Sequence, residues 1–247
     1  FQSFKGLEHL VRQEHLKAYG IINGIDTEVW DPETDAFLDF NFSKENALDG
    51  KWQNKKALCE EYGINPDLPL FSFIGRFAGE KGADFLPEIV QKSIQQTEGS
   101  LNVMILGSGD KNIENELRDL NGTFSNFALD LGYKEYLSHK IYAASDFLLM
   151  PSRVEPCGLN QMYAMRYGTV PIVRYIGGLR DTVEDISTGG SGINFGVASA
   201  NDTVEAMHRG LQIYHNGELM NQLVHSNMNY DFSWEKSAEK YLELYKK

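Results

Sequence analysis

The chain has 247 residues, enough for one large or two small domains, and 42% of them are hydrophobic, as in an ordinary globular protein. Its 23 basic and 35 acidic residues leave a formal charge of −12, which argues against a nucleic-acid partner because neutralising a phosphate backbone takes a broad basic surface. No apolar run approaches the roughly 20 residues that cross a bilayer, no signal sequence opens the chain, and Cys59 and Cys157 are too few for a disulfide scaffold, so free thiols in a cytoplasmic protein are expected.

The opening FQSFKGLEHLVRQEHL reads as a short amphipathic segment with no strand before it, and the first residue is Phe1, so a chain cut from something longer is expected. After a polar loop and a helix ending near Gly63, LFSFIG (70–75) reads as a strand and KGADFLPEIVQKSIQQ as a helix. LNVMILG, KNIENELRDL, FSNFALDLG and KEYLSHKIYAAS continue as strand, helix, strand and helix. FLLMPS (147–152), apolar and closed by Pro151, has the pattern of a buried parallel strand. LNQMYAMRY follows as a helix stopping at Gly168, with Leu159, Met162, Tyr163 and Arg166 near one face, and TVPIVR (169–174) is the next strand. Two helices between Asn201 and Asn229, parted near Gly217, precede a last helix capped by Ser233. That helix carries Trp234, Ala238, Tyr241, Leu242 and Tyr245 on one stripe. Strands alternating with helices of this length imply an α/β fold, a Rossmann-like doubly wound parallel sheet. There is no internal repeat and no low-complexity tract.

The loops after the strands carry the chemistry. In FIGRFAGEKG (73–82), Gly75 and Arg76 are followed five residues on by Lys81, which puts two cations beside a helix start. Arginine grips two phosphate oxygens at once and lysine acts as a point charge, although spacing alone fits an ordinary solvated loop equally well. Glu155 lies beyond the 147–152 strand. Pro156 holds Glu155 out of the helical region and suits a first helical position, so Cys157, Gly158 and Leu159 should offer unpaired amides, an anion site. Gly177, Gly178 and Leu179 end the next strand, where missing side chains would let backbone approach a ligand. Two adjacent strand ends then face one crevice, the usual ligand position in open α/β sheets. Gly107 in LGSGD is a weak glycine signal after a strand. Tyr133 reads on sequence alone as a core residue capping the sheet, and His139 as packing within its helix. The other histidines show no metal spacing.

Together with YGIINGIDTEVWDP (19–32), LDLGYKEYLSHKIYAASDFLLMPS (129–152) and DFSWEKSAEKYLELY (231–245), these runs resemble, in order, the bacterial glycogen synthases and plant starch synthases. Those are family 5 retaining glycosyltransferases that extend α-1,4-glucan. The resemblance implies the C-terminal half of a two-domain GT-B fold. Residues 1–18 would be a remnant of the N-terminal domain and crossover, 19–230 the donor-binding Rossmann-like domain, and 231–247 a terminal helix packing toward the N-terminal domain.

The resemblance further implies that Arg76 and Lys81 hold the diphosphate and that Glu155 contacts the transferred glucose, which makes these three the catalytic candidates. Tyr133 would stack on the nucleobase, and Gly75, Gly107, Cys157, Gly158, Leu159, Asn160, Gly177, Gly178 and Leu179 would line the donor site. Many related transferases carry a second Glu where this chain has Tyr163, and a Tyr there is what the synthases tend to show. Asn160 replaces a usual Thr and Arg180 a frequent Ala.

The implied reaction is transfer of glucose with retention from ADP-glucose or UDP-glucose to the non-reducing end of an α-1,4-glucan, with no metal and no cofactor, in a bacterial cytoplasm. The implied partners are the nucleotide sugar, the glucan and the N-terminal domain, without which the chain should bind donor but turn over poorly. A non-catalytic nucleotide-sugar binding or regulatory module, or another retaining GT-B enzyme, stays open. An epimerase would need a Gly-x-x-Gly-x-x-Gly first turn with Tyr-x-x-x-Lys, and a phosphorylase a pyridoxal phosphate lysine; neither setting is found.

Overall fold

The computed structural model describes residues 8–14 and 18–246. Its centre is a six-stranded, all-parallel sheet in the order β3-β2-β1-β4-β5-β6. The strands are β1 (Leu70–Phe77), β2 (Asn102–Gly109), β3 (Phe127–Leu131), β4 (Phe147–Met150), β5 (Val170–Arg174) and β6 (Ile193–Phe195). The chain builds outward from β1 to β3, then returns to lay β4 against the free side of β1. The order reverses at that point, which leaves a crevice at the carboxyl ends of β1 and β4.

Alternation along the strands divides the core in two. Phe71, Phe73 and Phe77 of β1 join Val103 and Ile105 of β2 and Phe147 of β4 on one face. That face is covered by α3 (Leu86–Gln96) and α8 (Ala200–His215), whose Ile89, Val90, Val204 and Met207 are buried there. Leu70, Met104, Leu106 and Ala128 turn to the other face, against Leu58 and Cys59 of α2 (Ala47–Tyr62) and Leu137 and Ile141 of α5 (Glu135–Ala144). Each such large side chain contributes about 1.5–3 kcal/mol on full burial. At the reversal, Phe71 and Phe147 pair in register and stack with centroids 4.7 Å apart.

The sheet, α2 to its stop at Gly63 (φ +69°), and the helix capped by the Ser233 side chain, α10 (Trp234–Tyr245), agree with the sequence reading. Several boundaries do not. β2 continues to Gly109 because its ladder with β1 extends through Phe77, so Gly107 lies inside a strand and not in a turn after it. The segment after Pro156 is not helical. Gly158 adopts φ +74° and α6 (Asn160–Arg166) begins only at Asn160, so Cys157, Gly158 and Leu159 are loop residues before a helix and not its first turn. The buried face of α6 is Gln161, Met162, Ala164 and Met165, while Leu159 is exposed. Two 3₁₀ turns, Gly79–Lys81 and Ala83–Phe85, stand where the helix start was expected. α7 (Gly177–Thr182) and β6 were not anticipated. At the other end, α1 (Glu8–Gln13) is a short helix. Residues 1–7 and 15–17 of the expected remnant over 1–18 lie outside the described residues.

Two polar assemblies are built into the core. Lys51 of α2 is buried, and its Nζ donates to the carbonyls of Ala143 (3.0 Å), Ser145 (2.9 Å) and Tyr167 (3.1 Å) and lies 2.8 Å from Thr169 Oγ1. It thereby satisfies terminal carbonyls of two helices that no intrahelical N–H reaches. Asp35 meets Tyr167 Oη at 2.5 Å and His139 Nδ1 at 2.7 Å, all three buried.

Candidate functional site

The carboxyl ends of β1 and β4 are joined by a clamp. Arg153, after β4, forks onto both carboxylate oxygens of Asp84 (2.7 Å for the Nη2–Oδ2 contact), donates to Gly79 O at 2.8 Å, and lies 4.1 Å from the centroid of the Phe85 ring. Its backbone N–H and that of Val154 donate to Glu80 O. The Arg153 hydrogen bond holds the Asp84 carboxyl below the usual carboxylate range. Gly82, at φ +67°, passes so close to Pro151 that a Cβ would lie 2.2 Å from its carbonyl oxygen. Arg174, at the end of β5, donates to the carbonyls of Ser152 and Arg153 from the other side.

The clamp sets Lys81 on Glu155. Lys81 Nζ donates to Glu155 Oε2 at 2.6 Å, and Ser152 Oγ donates to the same oxygen at 3.3 Å. Glu155 is 6% exposed, whereas the Lys81 side chain is 29% exposed and keeps donor capacity toward solvent. Arg76, on β1, is more open still: its side chain is 73% exposed and donates to Glu80 at 2.8 Å. A surface pair of this kind is worth about 0–1 kcal/mol, so an anion can displace Glu80 from the guanidinium at little cost.

The glycine pair has a packing role that the sequence reading did not anticipate. A Cβ on Gly177 would lie 2.1 Å from Glu155 O and one on Gly178 would lie 2.0 Å from Cys157 O, while Gly178 N–H donates to Glu155 O at 3.0 Å. The missing side chains admit the protein's own 155–157 backbone, and the Gly178 amide is spent on it rather than offered to a ligand. Leu179 is fully buried in the core. Cys157 is half-buried, and burial pushes its thiol up, so it keeps its proton at neutral pH.

Beside this centre, across the ends of β1, β2 and β3, lies a cleft of about 420 Å³. Gly75, Arg76, Gly107, Tyr133 and Asn160 line it, so five of the sequence candidates converge on one cavity. Gly75 and Gly107 are register partners, and a Cβ on Gly107 would lie 2.1 Å from Gly75 O. Asn160 donates to Ile74 O at 2.7 Å, which ties α6 to β1 across the reversal. Tyr133 is 87% exposed at the mouth, so the core reading of this residue does not hold; the chain leaves β3 through Gly132 (φ +120°) and points the ring outward.

The cleft wall was not legible in the sequence. Trp30 lines it, stacked between His139 (3.8 Å, 11°) and Tyr163 (3.9 Å, 22°). His139 therefore does more than pack within α5: pinned by Asp35, it backs the Trp30 ring. Trp30 lies within a quoted run, but no spacing links it to α5 or α6, and Arg153 likewise finds Asp84 only through the fold. Burial raises the Tyr163 hydroxyl above its ordinary pKa, so it stays protonated and is no base. Among the described residues no three or more His, Cys, Asp and Glu are grouped to hold a metal ion, and no helix is long and apolar enough to cross a membrane.

The cations at the β1/β4 reversal lie beside an aromatic-walled cleft. The model of the family described as Glycosyl transferases group 1 matches residues 54–226. The chain belongs to this family. As a group 1 glycosyltransferase it is 46% identical over 244 residues to a glycogen synthase of Flavobacterium johnsoniae, covering 98% of this chain and 52% of that protein. A glycogen synthase of Finegoldia magna is 41% identical, with 98% and 51% covered. Among solved structures, the catalytic domain of starch synthase IV from Arabidopsis thaliana, bound to ADP and acarbose, superposes with a TM-score of 0.88 at 38% identity, over 98% of this chain and 51% of that one. The resemblance to glycogen and starch synthases read from the motifs is borne out. This group 1 glycosyltransferase chain spans about half the length of the curated relatives it matches. A sucrose-phosphate synthase from Thermosynechococcus elongatus, at 20% identity and a TM-score of 0.66, shares the fold.

Proposed function

We propose that this chain is the donor-binding half of a glycogen synthase, which in the whole protein transfers glucose from ADP-glucose, with retention, to the non-reducing end of an α-1,4-glucan in a bacterial cytoplasm. The observation that carries the reading is the Lys81–Glu155 pair at 2.6 Å, held at the sheet reversal with Arg76 open beside it. ADP in the starch synthase IV structure, 38% identical, supports adenine over uracil.

In this reading the base lies against Tyr133 in the aromatic cleft, the diphosphate reaches Arg76 and the solvent-facing side of Lys81, and the glucose sits over Glu155. As the bond from the anomeric carbon to the diphosphate breaks, the two cations take up the charge released on the leaving oxygens. The acceptor hydroxyl forms its bond on the face the leaving group vacates and yields its proton to a departing phosphate oxygen, so configuration is kept. Glu155, its charge already balanced by Lys81, faces the developing positive charge on the sugar. This reading uses no metal and no cofactor. It keeps 19–230 as the donor domain and leaves the 231–247 helix to face the N-terminal domain.

Calorimetric titration with ADP, UDP and ADP-glucose tests it. ADP and ADP-glucose should bind and UDP should bind weakly, and Lys81→Ala should lower ADP affinity by about ten-fold or more, the loss of one charge-assisted hydrogen bond. No binding of any of the three, or ADP binding that Lys81→Ala leaves intact, would sink the assignment.

A further inference from the structure

The cleft across the ends of β1, β2 and β3 holds a polar group that the protein itself does not use. Tyr142 of α5 lines it and is only 2% exposed, yet its hydroxyl has no hydrogen-bond partner among the described residues. Burial holds this hydroxyl well above its ordinary pKa, so it keeps its proton and can donate. The ring is fixed by its neighbours, with the centroid of Trp30 at 5.7 Å, edge to face, and that of Tyr163 at 5.8 Å. A buried hydroxyl in that state is costly unless a ligand supplies the partner.

The same helix brings a second hydroxyl to the cleft. Glu135, Ser138 and Tyr142 all line it, three and four residues apart, so one face of α5 looks onto the cavity. Tyr133 stands at the mouth just before α5, while Arg76 stands on β1. A base lying against Tyr133, its ribose drawn toward Arg76 by the diphosphate, turns its far edge to Ser138 and Tyr142.

The two hydroxyls are not equivalent. Ser138 Oγ donates to Glu135 O at 2.6 Å, so its single proton is spent and lone pairs are what it has left to offer. Tyr142 still has a proton to give. An acceptor one helical turn from a donor matches adenine, which carries an amine beside a ring nitrogen that accepts. Guanine, hypoxanthine and uracil put a carbonyl oxygen in place of the amine and an N–H in place of the acceptor. Oxygen would then face oxygen at Ser138, and the Tyr142 proton would lose its acceptor.

We infer that Ser138 and Tyr142 are the residues that select the base, Ser138 accepting from the adenine amine and Tyr142 donating to the ring nitrogen beside it. The inference rests on the donor reading above and names what makes that site prefer adenine.

Titration of the chain with ADP and with inosine diphosphate, which differs from ADP only at this edge, is the test. The parent chain should bind ADP about ten-fold or more tightly than inosine diphosphate. Tyr142→Phe keeps the ring and should narrow that preference to within about three-fold, chiefly by weakening ADP, and Ser138→Ala should narrow it as well. The thermal midpoint of Tyr142→Phe should be unchanged or slightly higher, because the hydroxyl removed has no partner in the protein. Equal binding of the two nucleotides by the parent chain overturns the inference and leaves the donor reading standing. So does a preference that survives either substitution, whether both affinities fall together or neither moves, since the hydroxyl then meets no part of the base edge. Failure of ADP to bind the parent chain counts against the donor reading, and the inference falls with it.

Discussion

Lys51 and Lys81 are both lysines held by oxygen atoms, yet one is saturated and the other is not. Lys51 has four acceptors within 3.1 Å and no exposed surface to speak of. Lys81 has one carboxylate at 2.6 Å and almost a third of its side chain in solvent. The same contrast separates Asp35, gripped by His139 and Tyr167 in the core, from Glu155, held by Lys81 and Ser152 at the rim of the crevice. A buried polar group with every bond made is architecture, because any ligand would first have to break those bonds. Spare hydrogen-bonding capacity beside a cavity is what a ligand can use.

Removing Lys51 should have the largest effect. Lys51→Met leaves carbonyls of two helix ends without a donor, and a loss of about 3–5 kcal/mol is expected from the urea midpoint, with ADP affinity of the folded fraction unchanged. A large fall in ADP affinity would break the contrast by showing that Lys51 serves the cleft.

Asp35 comes next and adds a pH signature. Burial alone would raise its carboxyl, but the hydrogen bonds from His139 and Tyr167 outweigh that and hold it below the ordinary value. The unfolded chain then binds the extra proton first, so the stabilisation is present above about pH 4 and is lost as pH falls through the folded-state value. Asp35→Asn should cost about 1–3 kcal/mol at neutral pH and flatten the decline of thermal stability below pH 4. An unchanged acid profile would remove Asp35 as its source.

Arg153 sharpens the comparison at the crevice, since it touches the 79–85 turn rather than the cavity. Arg153→Ala should reduce ADP affinity by about ten-fold in the parent chain and hardly at all in Lys81→Ala, the coupling expected of a residue that acts through another. Additive losses would mean that Arg153 meets the ligand itself.

Arg76 should affect stability least. Its pair with Glu80 is exposed, so Arg76→Ala should change the unfolding free energy by less than about 0.5 kcal/mol while ADP affinity falls several-fold. A loss of stability without a loss of affinity would reverse its assignment.

The sequence by itself determined the α/β alternation, because apolar runs of four to eight residues between amphipathic helices have few other ways to bury their surface. It also marked Gly75, Arg76, Lys81 and Glu155 at strand ends, where local chemistry is written in consecutive residues, while their roles and the place of Asn160 came from the family resemblance. Tertiary structure alone decided what the glycines at 177 and 178 are for: the backbone they admit comes from the loop after a neighbouring strand. It likewise decided the course of the chain after Pro156, where Gly158 at φ +74° delays the helix to Asn160. The stack of Trp30 between His139 and Tyr163, and the clamp of Arg153 on Asp84, join residues 69 to 133 positions apart. Contacts at that separation follow from which strands pair and which helices cover them, and no local propensity or spacing encodes them.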